Sequence, residues 1–429
     1  MFLPIFLISI LYIVLVKSRL PPDFEFSNDN VDDKHKWAVL VAGSNGFSNY
    51  RHQADVCHAY QVLLSKGIKP EHIITFMYDD IAHNEENPFP GRIFNDYHHK
   101  DYYKGVVIDY KGKAVNPKTF LQVLRGDKMD GRKVLKSGKK DDVFIYFTDH
   151  GAPGLIAFPD DDLSANDFMK TLKYMHKHKR YSRLVIYIEA CESGSMFDKI
   201  LPSNMNIYAT TAARPDESSW GTFCDDPEIA TCLADLYSYD WIVDSQTHEL
   251  TRRTLDDQFK EVKIETNLSH VQKYGDKSMG RLKLSDFQGS RKKMSNESNW
   301  STMKPRDSIP SRDIPLHTLH RKIIMTNDAG KKKLLMEILG LRLKRRELVQ
   351  DTMDLIVEVM SKSKPTVSNP NIDQILDCTE SVYKKFKNKC FSIQQAPEVA
   401  AHLSTLHGYC EQGFNAEVIK RAIIKICDE

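Results

Sequence analysis

The sequence lacks any marked excess of one charge. Its 429 residues include 60 Lys and Arg against 58 Asp and Glu, which gives a formal net charge of +2. Proteins that bind nucleic acids or anionic membranes through their overall field carry a strong basic excess, so this balance argues against both partners. Any charge that matters for function is therefore expected to be local.

Beyond its first residues the sequence also lacks a long apolar run. Met1–Val16 is apolar and is followed by Lys17-Ser18-Arg19. Sixteen apolar residues are few for a hydrocarbon core of about 30 Å, so residues 1–19 are predicted to be a cleaved secretory signal peptide. A retained signal anchor is the competing interpretation, because the segment has no basic start. The mature chain is expected to have no stable membrane anchor.

Three glycosylation sequons agree with a secretory route. They begin at Asn267, Asn296 and Asn299. Each has the Asn-X-Ser pattern that the secretory pathway can modify. The mature chain is therefore expected to fold in an oxidising compartment, where disulfides form.

Cysteine is scarce and falls into two groups of four. The groups are Cys57, Cys191, Cys224 and Cys232, and then Cys378, Cys390, Cys410 and Cys427. The second group predicts two disulfides, whose connectivity the spacing leaves open. A local Cys224–Cys232 disulfide is one interpretation, and two free thiols are the other. Cys57 lies in a helical pattern and is expected to be buried and inert.

Metal-ligand spacing is absent. His52 and His58 are near each other in sequence, but no cysteine or carboxylate partners recur around them at the spacing of a metal site. No metal and no cofactor are predicted.

Short β-rich apolar runs alternate with helical patterns from Lys36 to about residue 288. This alternation is typical of an α/β domain with a mostly parallel sheet. The predicted strands are Trp37–Val41, Ile73–Tyr78, Val143–Phe147, Leu184–Ile188 and Ile207–Thr210, and the predicted helices are Gln53–Lys66, Pro117–Leu124 and Ala165–His178.

The composition changes after this domain. Gly289–Ser311 is rich in Arg, Lys, Ser, Asn and Pro, which predicts an exposed linker. Leu334–Met360 then carries apolar residues at helical spacing, and shorter helices are predicted up to the C-terminus. The end of the chain is therefore expected to be an all-helical module held by disulfides.

Two of the predicted strands end in chemically useful residues. Phe147 runs into Thr148-Asp149-His150-Gly151, and Ile188 runs into Glu189-Ala190-Cys191. The carboxyl ends of parallel strands line a common crevice, so neighbouring strands would bring His150 to Cys191. An imidazole can take the thiol proton and later protonate a leaving amine. The backbone N–H groups of Gly151 and Cys191 are the predicted oxyanion donors.

Three sequence blocks carry a family resemblance. They are Val41–Gly46 continuing through Asn49–Asp55, Phe147–Gly151 and Glu189–Ser195. The blocks resemble those of legumain, the asparaginyl endopeptidases, and in detail the haemoglobinase type of blood flukes. The resemblance covers nearly the whole chain. It implies a caspase-like three-layer α/β/α fold and a cysteine endopeptidase that cuts after asparagine, with protein degradation such as haemoglobin digestion, or protease processing, as its role.

The resemblance also assigns roles to individual residues. Cys191 is the implied nucleophile, His150 the general base and acid, and Asn49 the group that orients the imidazole. The implied specificity pocket consists of Arg51, His52, Glu189, Ser218, Ser219 and Asp235. An asparagine side chain offers one acceptor and one donor, which a cation and two carboxylates can meet. Aspartate is expected to enter only when it is protonated at acidic pH.

A zymogen is implied as well. The expected divisions are a signal peptide 1–19, a short propeptide 20–35, a catalytic domain 36–288, a linker and activation peptide 289–327 and a helical prodomain 328–429, with processing after Asn327. The prodomain is expected to inhibit the site, partly through ion pairs from Arg342, Lys344, Arg345 and Arg346 to acidic groups including the pocket carboxylates. Acid would weaken these pairs. Expected partners are protein and peptide substrates, this prodomain and cystatin-type inhibitors, in a lysosome-like compartment or a gut lumen.

Three alternatives use other features. Asp149, whose family counterpart can form a succinimide, leaves open a peptide ligase in which an amine resolves the acyl-enzyme. Arg125-Gly126-Asp127 could serve a non-catalytic binding protein, although the set of Asn49, His150 and Cys191 argues against that class. A membrane-bound transamidase of the same superfamily usually carries a transmembrane anchor, which is not expected here.

Overall fold

The computed structural model describes residues 34–291, 304 and 307–428. The predicted signal peptide, nearly all of the predicted propeptide, and the sequons at Asn296 and Asn299 lie outside the described residues. No described helix is both long and apolar enough to cross a membrane. From His35 onward the described residues belong to one unit.

The strands form one large and two small sheets. In chain order they are β1 (Lys36–Ala42), β2 (Ile73–Phe76), β3 (Asp142–Thr148), β4 (Gly151–Ala152), β5 (Leu155–Ala157), β6 (Asp162–Ser164), β7 (Arg183–Glu189), β8 (Ile207–Thr211), β9 (Trp220–Thr222), β10 (Ala234–Asp235), β11 (Gln272–Gly275) and β12 (Ile309–Pro310). The large sheet has the order β11-β8-β7-β3-β1-β2. All of its pairs are parallel except β11 with β8 at one edge.

The helices cover both faces of this sheet and form the C-terminal module. They are α1 (Tyr50–Ser65), α2 (Pro117–Arg125), α3 (Ala165–Lys177), α4 (Leu236–Thr247), α5 (Leu255–Glu265), α6 (Ser285–Gln288), α7 (Ile314–Met325), α8 (Ala329–Met360), α9 (Ile372–Lys389), α10 (Val399–Glu411) and α11 (Ala416–Cys427).

The sheet is buried on both faces, as its unbroken apolar strands require. Alternate residues of β1 enter different cores, because successive side chains of a strand point to opposite faces. Leu40 packs in the core that includes α1, α4 and α5, whereas Val39 packs in the core that includes α2 and α3. The predicted three-layer α/β/α fold with a mostly parallel sheet is confirmed, and the predicted strands and helices differ from the observed ones only at their ends.

The C-terminal module is helical, as expected. Helices α8 to α11 share a core that includes Val349, Phe386, Leu403 and Ile423. Helix α8 begins at Ala329, five residues before the predicted apolar pattern, because the Asp328 side chain caps it by accepting from the Lys331 N–H at 2.8 Å. The disulfides join Cys378 to Cys410 and Cys390 to Cys427, both within this module.

The linker prediction fails at its C-terminal end. Exposure was expected up to Ser311, yet Ser311 is only 3% exposed. Ile309–Pro310 forms β12, which pairs with β9, and the Ser311 N–H donates to the Ser219 carbonyl at 3.0 Å. An edge strand with unpaired backbone groups accepts a short extended segment of almost any composition, so apolar periodicity could not reveal this pairing.

Candidate active site

His150 and Cys191 follow two neighbouring strands in matched register. Thr148, the last residue of β3, pairs with Glu189, the last residue of β7. His150 and Cys191 are each two residues further on, so both leave the sheet at the same edge. Gly151 packs so closely here that a Cβ atom would collide with the Cys191 carbonyl oxygen. The two sequence blocks therefore meet as predicted.

Asn49 fixes one nitrogen of the His150 ring. It precedes α1, and its Nδ2 donates to the Asn45 carbonyl at 2.9 Å. Its Oδ1 lies 2.9 Å from His150 Nε2. Since an amide oxygen can only accept, Nε2 carries the ring proton in this arrangement. Nδ1 of a neutral ring is then left as the basic nitrogen.

Cys191 is buried and surrounded by hydroxyl groups. Its side chain is 1% exposed, with Sγ 3.2 Å from Ser218 Oγ and 3.7 Å from Ser219 Oγ. Burial raises the pKa of the thiol, and the charge of Arg312 opposes this shift. Burial, with the charges of Arg51 and Arg312, lowers the pKa of His150 to about 3. Both groups are therefore neutral in the arrangement that the structure shows.

Arg51 and Asp235 form a buried ion pair beside these residues. Arg51 lies in the first turn of α1 and is fully buried, and its Nε donates to Asp235 Oδ1 at 2.8 Å. His52 Nε2 lies 3.4 Å from Asp235 Oδ2. Burial raises the pKa of Asp235, while Arg51 lowers it. The first turn of α1 and the two-residue strand β10 thus place a cation and an anion together in a buried site.

Several buried polar atoms of this site have no hydrogen-bond partner among the described residues. Two of them are complementary in chemical type, Arg51 Nη2, a donor, and Glu189 Oε1, an acceptor, and His52 Nε2 is another such atom. The other Glu189 oxygen accepts from Ser238 N at 3.0 Å and Ser238 Oγ at 3.1 Å. Buried polar groups are nearly always paired, so an unsatisfied donor and acceptor indicate a ligand. A primary carboxamide has the complementary acceptor and donor.

Asp55, which no sequence pattern singled out, supports this pocket from behind. Its carboxylate accepts from the Asp235 N–H at 3.2 Å and from Asn95 Nδ2 at 2.8 Å. Burial and the neighbouring Asp235 raise its pKa well above the usual range. Asp55 is the last residue of the sequence block Asn49–Asp55, but only the fold brings it to Asp235.

The segment 309–314, called the covering segment here, lies across the site. It pairs with β9, and Arg312 Nη2 donates to Glu192 Oε1 directly after Cys191. Ile314 is fully buried and packs on Gly221, which has no side chain to prevent this. A Cβ atom on Gly221 would also lie 3.3 Å from Arg51 Cδ. The covering segment thus reaches both the thiol and the pocket, which sequence reasoning had not foreseen.

The helical module closes the other side of the site. Its core continues onto Ala152, Leu155 and Ala157, which follow His150. Gln394 Nε2 donates to the Phe158 carbonyl at 3.1 Å, and Lys387 Nζ lies 2.7 Å from Asp162 Oδ2. A cavity beside Asn49 and His150 is lined by Ile393, Gln394 and Pro397.

The predicted ion pairs of the module need correction. Arg346 pairs with Asp313 at 2.9 Å, and Arg345 donates to the Gln395 carbonyl. Burial lowers the pKa of Arg342, and the charge of Glu398 opposes this shift. The pocket carboxylates instead meet Arg51 and Ser238, because they lie beneath the covering segment rather than at its surface.

Most of the remaining predicted residues lie apart from this centre, whereas Asp149 lies beside it. Asn327 is exposed between α7 and α8, and Asn267 is exposed in a turn after α5. Asp149 Oδ1 lies 3.5 Å from His52 Nδ1. Arg125 and Asp127 pair with each other at the end of α2. Cys224 and Cys232 form a disulfide, which leaves Cys57 and Cys191 as the free cysteines, both buried.

Comparisons with known proteins agree with the sequence blocks. The Peptidase C13 family model matches residues 36–290. Hemoglobinases of Schistosoma japonicum and Schistosoma mansoni are 71% and 70% identical over 427 residues, with 100% of both chains covered. Legumain of Rattus norvegicus is 42% identical over 411 residues, covering 93% of this chain and 94% of that one. A solved caspase-1 from Spodoptera frugiperda aligns at 12% identity with a TM-score of 0.34, over 57% of this chain and 88% of that chain. This chain belongs to the peptidase C13 family and is a cysteine endopeptidase of the legumain type.

Proposed function

We propose that the mature enzyme hydrolyses peptide bonds on the C-terminal side of asparagine. The observation that carries this proposal is the unsatisfied pair of Arg51 Nη2 and Glu189 Oε1. The amide oxygen of asparagine would accept from Arg51, and its NH2 group would donate to Glu189. A side chain without these two functions would leave both buried atoms unpaired, which disfavours it strongly.

The proposed chemistry uses the residues at the two strand ends. His150 takes the proton of Cys191, and the thiolate attacks the carbonyl carbon of the bond that follows the bound asparagine. The N–H groups of Gly151 and Cys191 stabilise the oxyanion. His150 then protonates the leaving amine, and water, deprotonated by the same ring, hydrolyses the thioester. Asn49 acts as a positioning residue by holding Nε2 of the ring.

Aspartate is proposed as a second substrate residue at acidic pH only. An ionised aspartate would place a third negative charge beside Glu189 and Asp235. Burial and the neighbouring Asp235 raise the pKa of Glu189 well above its usual range, which shows how costly a further charge is here. A protonated aspartate carries an acceptor and a donor, as asparagine does.

The chain is further proposed to be a zymogen in which residues 328–429 and the covering segment inhibit the site. The contacts of Arg312, Ile314 and Gln394 described above support this proposal. Activation is expected at about pH 4 to 5, where carboxylates titrate. The names of the fluke relatives suggest haemoglobin as a substrate. We also propose that the enzyme acts in a lysosome or after secretion, and that cystatin-type proteins inhibit it.

The test compares peptides that differ only at the residue before the cleaved bond. Asparagine should be cut at least about a hundredfold faster than glutamine, and aspartate should be cut only at acidic pH. Arg51→Gln should remove this preference while Cys191 still reacts with a small alkylating agent. Arg252→Gln, which changes an arginine 82% exposed, is the matched control. Equal cutting after asparagine and leucine would refute the proposal, and joined products would favour the ligase.

A further inference from the structure

Glu192, the residue after the nucleophile, is a carboxylate that the proposed chemistry does not use. Its side chain is 2% exposed, and its Oε1 accepts from Arg312 Nη2 of the covering segment. Its other oxygen, Oε2, is buried and has no hydrogen-bond partner among the described residues. A buried carboxylate with an unpaired oxygen can take a cationic ligand that carries more than one donor.

The backbone holds Glu192 in place independently of the covering segment. Its φ of 49° lies in the left-handed region, which a residue with a side chain seldom adopts, and its N–H donates to the Glu217 carbonyl at 2.8 Å. The N–H and Oγ of Ser195 donate to the Glu192 carbonyl at 2.8 and 2.6 Å. Because none of these bonds involves residues 309–314, Glu192 should keep its position after the covering segment has left.

The covering segment shows where a bound peptide would place its side chains. It pairs antiparallel with β9, and Ser311 Oγ lies 3.1 Å from Ser219 Oγ. Ser219 Oγ is itself 3.7 Å from Cys191 Sγ. The segment therefore passes the thiol at residue 311, and the next residue, Arg312, lies beyond it and contacts Glu192.

A substrate that pairs with β9 in the same direction would align with this segment residue by residue. Its asparagine would take the place of Ser311, close to the thiol and to the pocket of Arg51 and Glu189. The residue after the cleaved bond would then take the place of Arg312 and meet Glu192.

The charges around Glu192 also favour a cation at this place. Burial, with the charges of Asp216 and Glu217, raises the pKa of Glu192 to about 7, whereas Arg312 lowers it. Arg312 is the cation that contacts Glu192 itself. A neutral side chain in its place would cover an unpaired carboxylate or force it to take up a proton, and both cost free energy.

We propose that Glu192 makes the mature enzyme select peptides in which arginine or lysine follows the asparagine. This inference rests on the proposed cleavage after asparagine. Arginine should be preferred to lysine, because its planar guanidinium can donate to both oxygens of one carboxylate. An acidic residue at the same place would be repelled by Glu192. The predicted processing bond, Asn327–Asp328, has such a residue and should be cut more slowly than a bond followed by lysine.

The test measures kcat/KM of the matured enzyme at about pH 6, where an exposed glutamate is ionised, on peptides that differ only at the residue after asparagine. The arginine peptide should be cut at least about fivefold faster than the glutamine peptide, and the glutamate peptide at least about fivefold slower. Glu192→Gln should cut the arginine and glutamine peptides equally, and Glu192→Lys should prefer the glutamate peptide. Glu228→Gln, which changes an exposed glutamate between β9 and β10, is the matched control and should keep the wild-type ratios.

Each result is a ratio of two peptides within one variant, so a general loss of activity in a Glu192 variant would not hide it. Equal rates for arginine, glutamine and glutamate in the wild-type enzyme would overturn the proposal, even if no variant could be matured. So would a Glu192→Gln enzyme that kept the preference for arginine. Equal cutting after leucine and asparagine would instead refute the proposed function itself.

Discussion

At the scale of single residues, the proposed role of Asn49 is to orient the His150 ring. Its amide oxygen holds His150 Nε2, and its own NH2 group is held by Asn45. Asn49→Ala should lower kcat/KM of the matured enzyme by about ten- to a hundredfold, much less than Cys191→Ala or His150→Ala, because an orienting group can be partly replaced. Asn49→Asp keeps an acceptor and should retain more activity than alanine. Steady-state kinetics on one asparagine peptide would check this, and equal losses at all three positions would contradict it.

Glu192 is expected to make the covering segment sensitive to pH. Burial raises the pKa of Glu192 to about 7, and Arg312 lowers it. Because the pKa of Glu192 in the covered state lies above its usual range, the covered state binds this proton more tightly than a solvent-exposed Glu192 would, and protonation favours the covered state. That contribution is lost as the pH rises through about 7.

Hydrogen exchange of the amides in 309–313, corrected for intrinsic rates, measures this effect. Glu192→Gln, which cannot ionise, should slow exchange at pH 7.5 and should flatten its dependence between pH 5 and 8. Glu86→Gln is the control, since Glu86 also pairs with this part of the chain, through Lys322, but is 43% exposed. Unchanged exchange in Glu192→Gln would show that the ionisation of Glu192 does not govern the stability of the segment.

Sequence alone could predict those site residues that directly follow a strand. His150 and Cys191 stand after apolar runs, and the meeting of strand ends is a general property of parallel sheets. Arg312 and Glu192 are 120 residues apart and carry no local pattern. Asp55 is one of several polar residues in α1, and only the position of Asp235 shows its importance.

At the scale of elements, α7 is expected to close the site through its first residue. Ile314 is fully buried against Gly221, whereas Ile324 of the same helix is 59% exposed. Ile314→Asp would bury a charge without a partner and should displace the covering segment at neutral pH. Cys191 of the full-length chain should then react with iodoacetamide at least about tenfold faster.

Ile324→Asp makes the same chemical change at an exposed position and should leave the alkylation rate unaltered. Intact mass spectrometry of the modified chain would measure both rates. The proposal would be wrong if Cys191 of the Ile314→Asp variant reacted as slowly as in the parent chain and the circular dichroism of the two were the same. In that case the covering segment would not be what protects the thiol.

Element prediction succeeded for the long strands, but the helices α4, α5 and α7 and the short strands were not predicted. The seven-residue strands β1, β3 and β7 were found within one residue at each end. β12 has two residues, one of them Pro310, and no period can be recognised in it. Its position depends on a partner strand far away in sequence, which is why a linker was predicted instead.

At the scale of the whole molecule, maturation is expected to need more than one event. A cut after Asn327 would release the module from Asp328 onward but would leave α7 and the covering segment attached to the catalytic domain. Activity should therefore remain low until residues 309–327 also leave. N-terminal sequencing and intact mass at successive times at about pH 4.5 would show the order.

Asn327→Ala should abolish the fragment that begins at Asp328. Asn369→Ala, which changes an exposed asparagine in the loop between α8 and α9, should not. Full activity coinciding with the first cut, or an unchanged fragment from Asn327→Ala, would contradict this order of events.

The placement of the disulfides determines what happens after such a cut. Two disulfides lie within the helical module and the third lies within the catalytic domain, so none of the three joins the two parts. Before cleavage the helical module is linked to the catalytic domain, so its effective concentration at the site is of the order of millimolar. After cleavage the two parts are separate molecules and must meet by diffusion. The released module keeps its own core and crosslinks, so it should be able to return. Dilution in the surrounding compartment would then decide, together with acidity, how long the enzyme remains active.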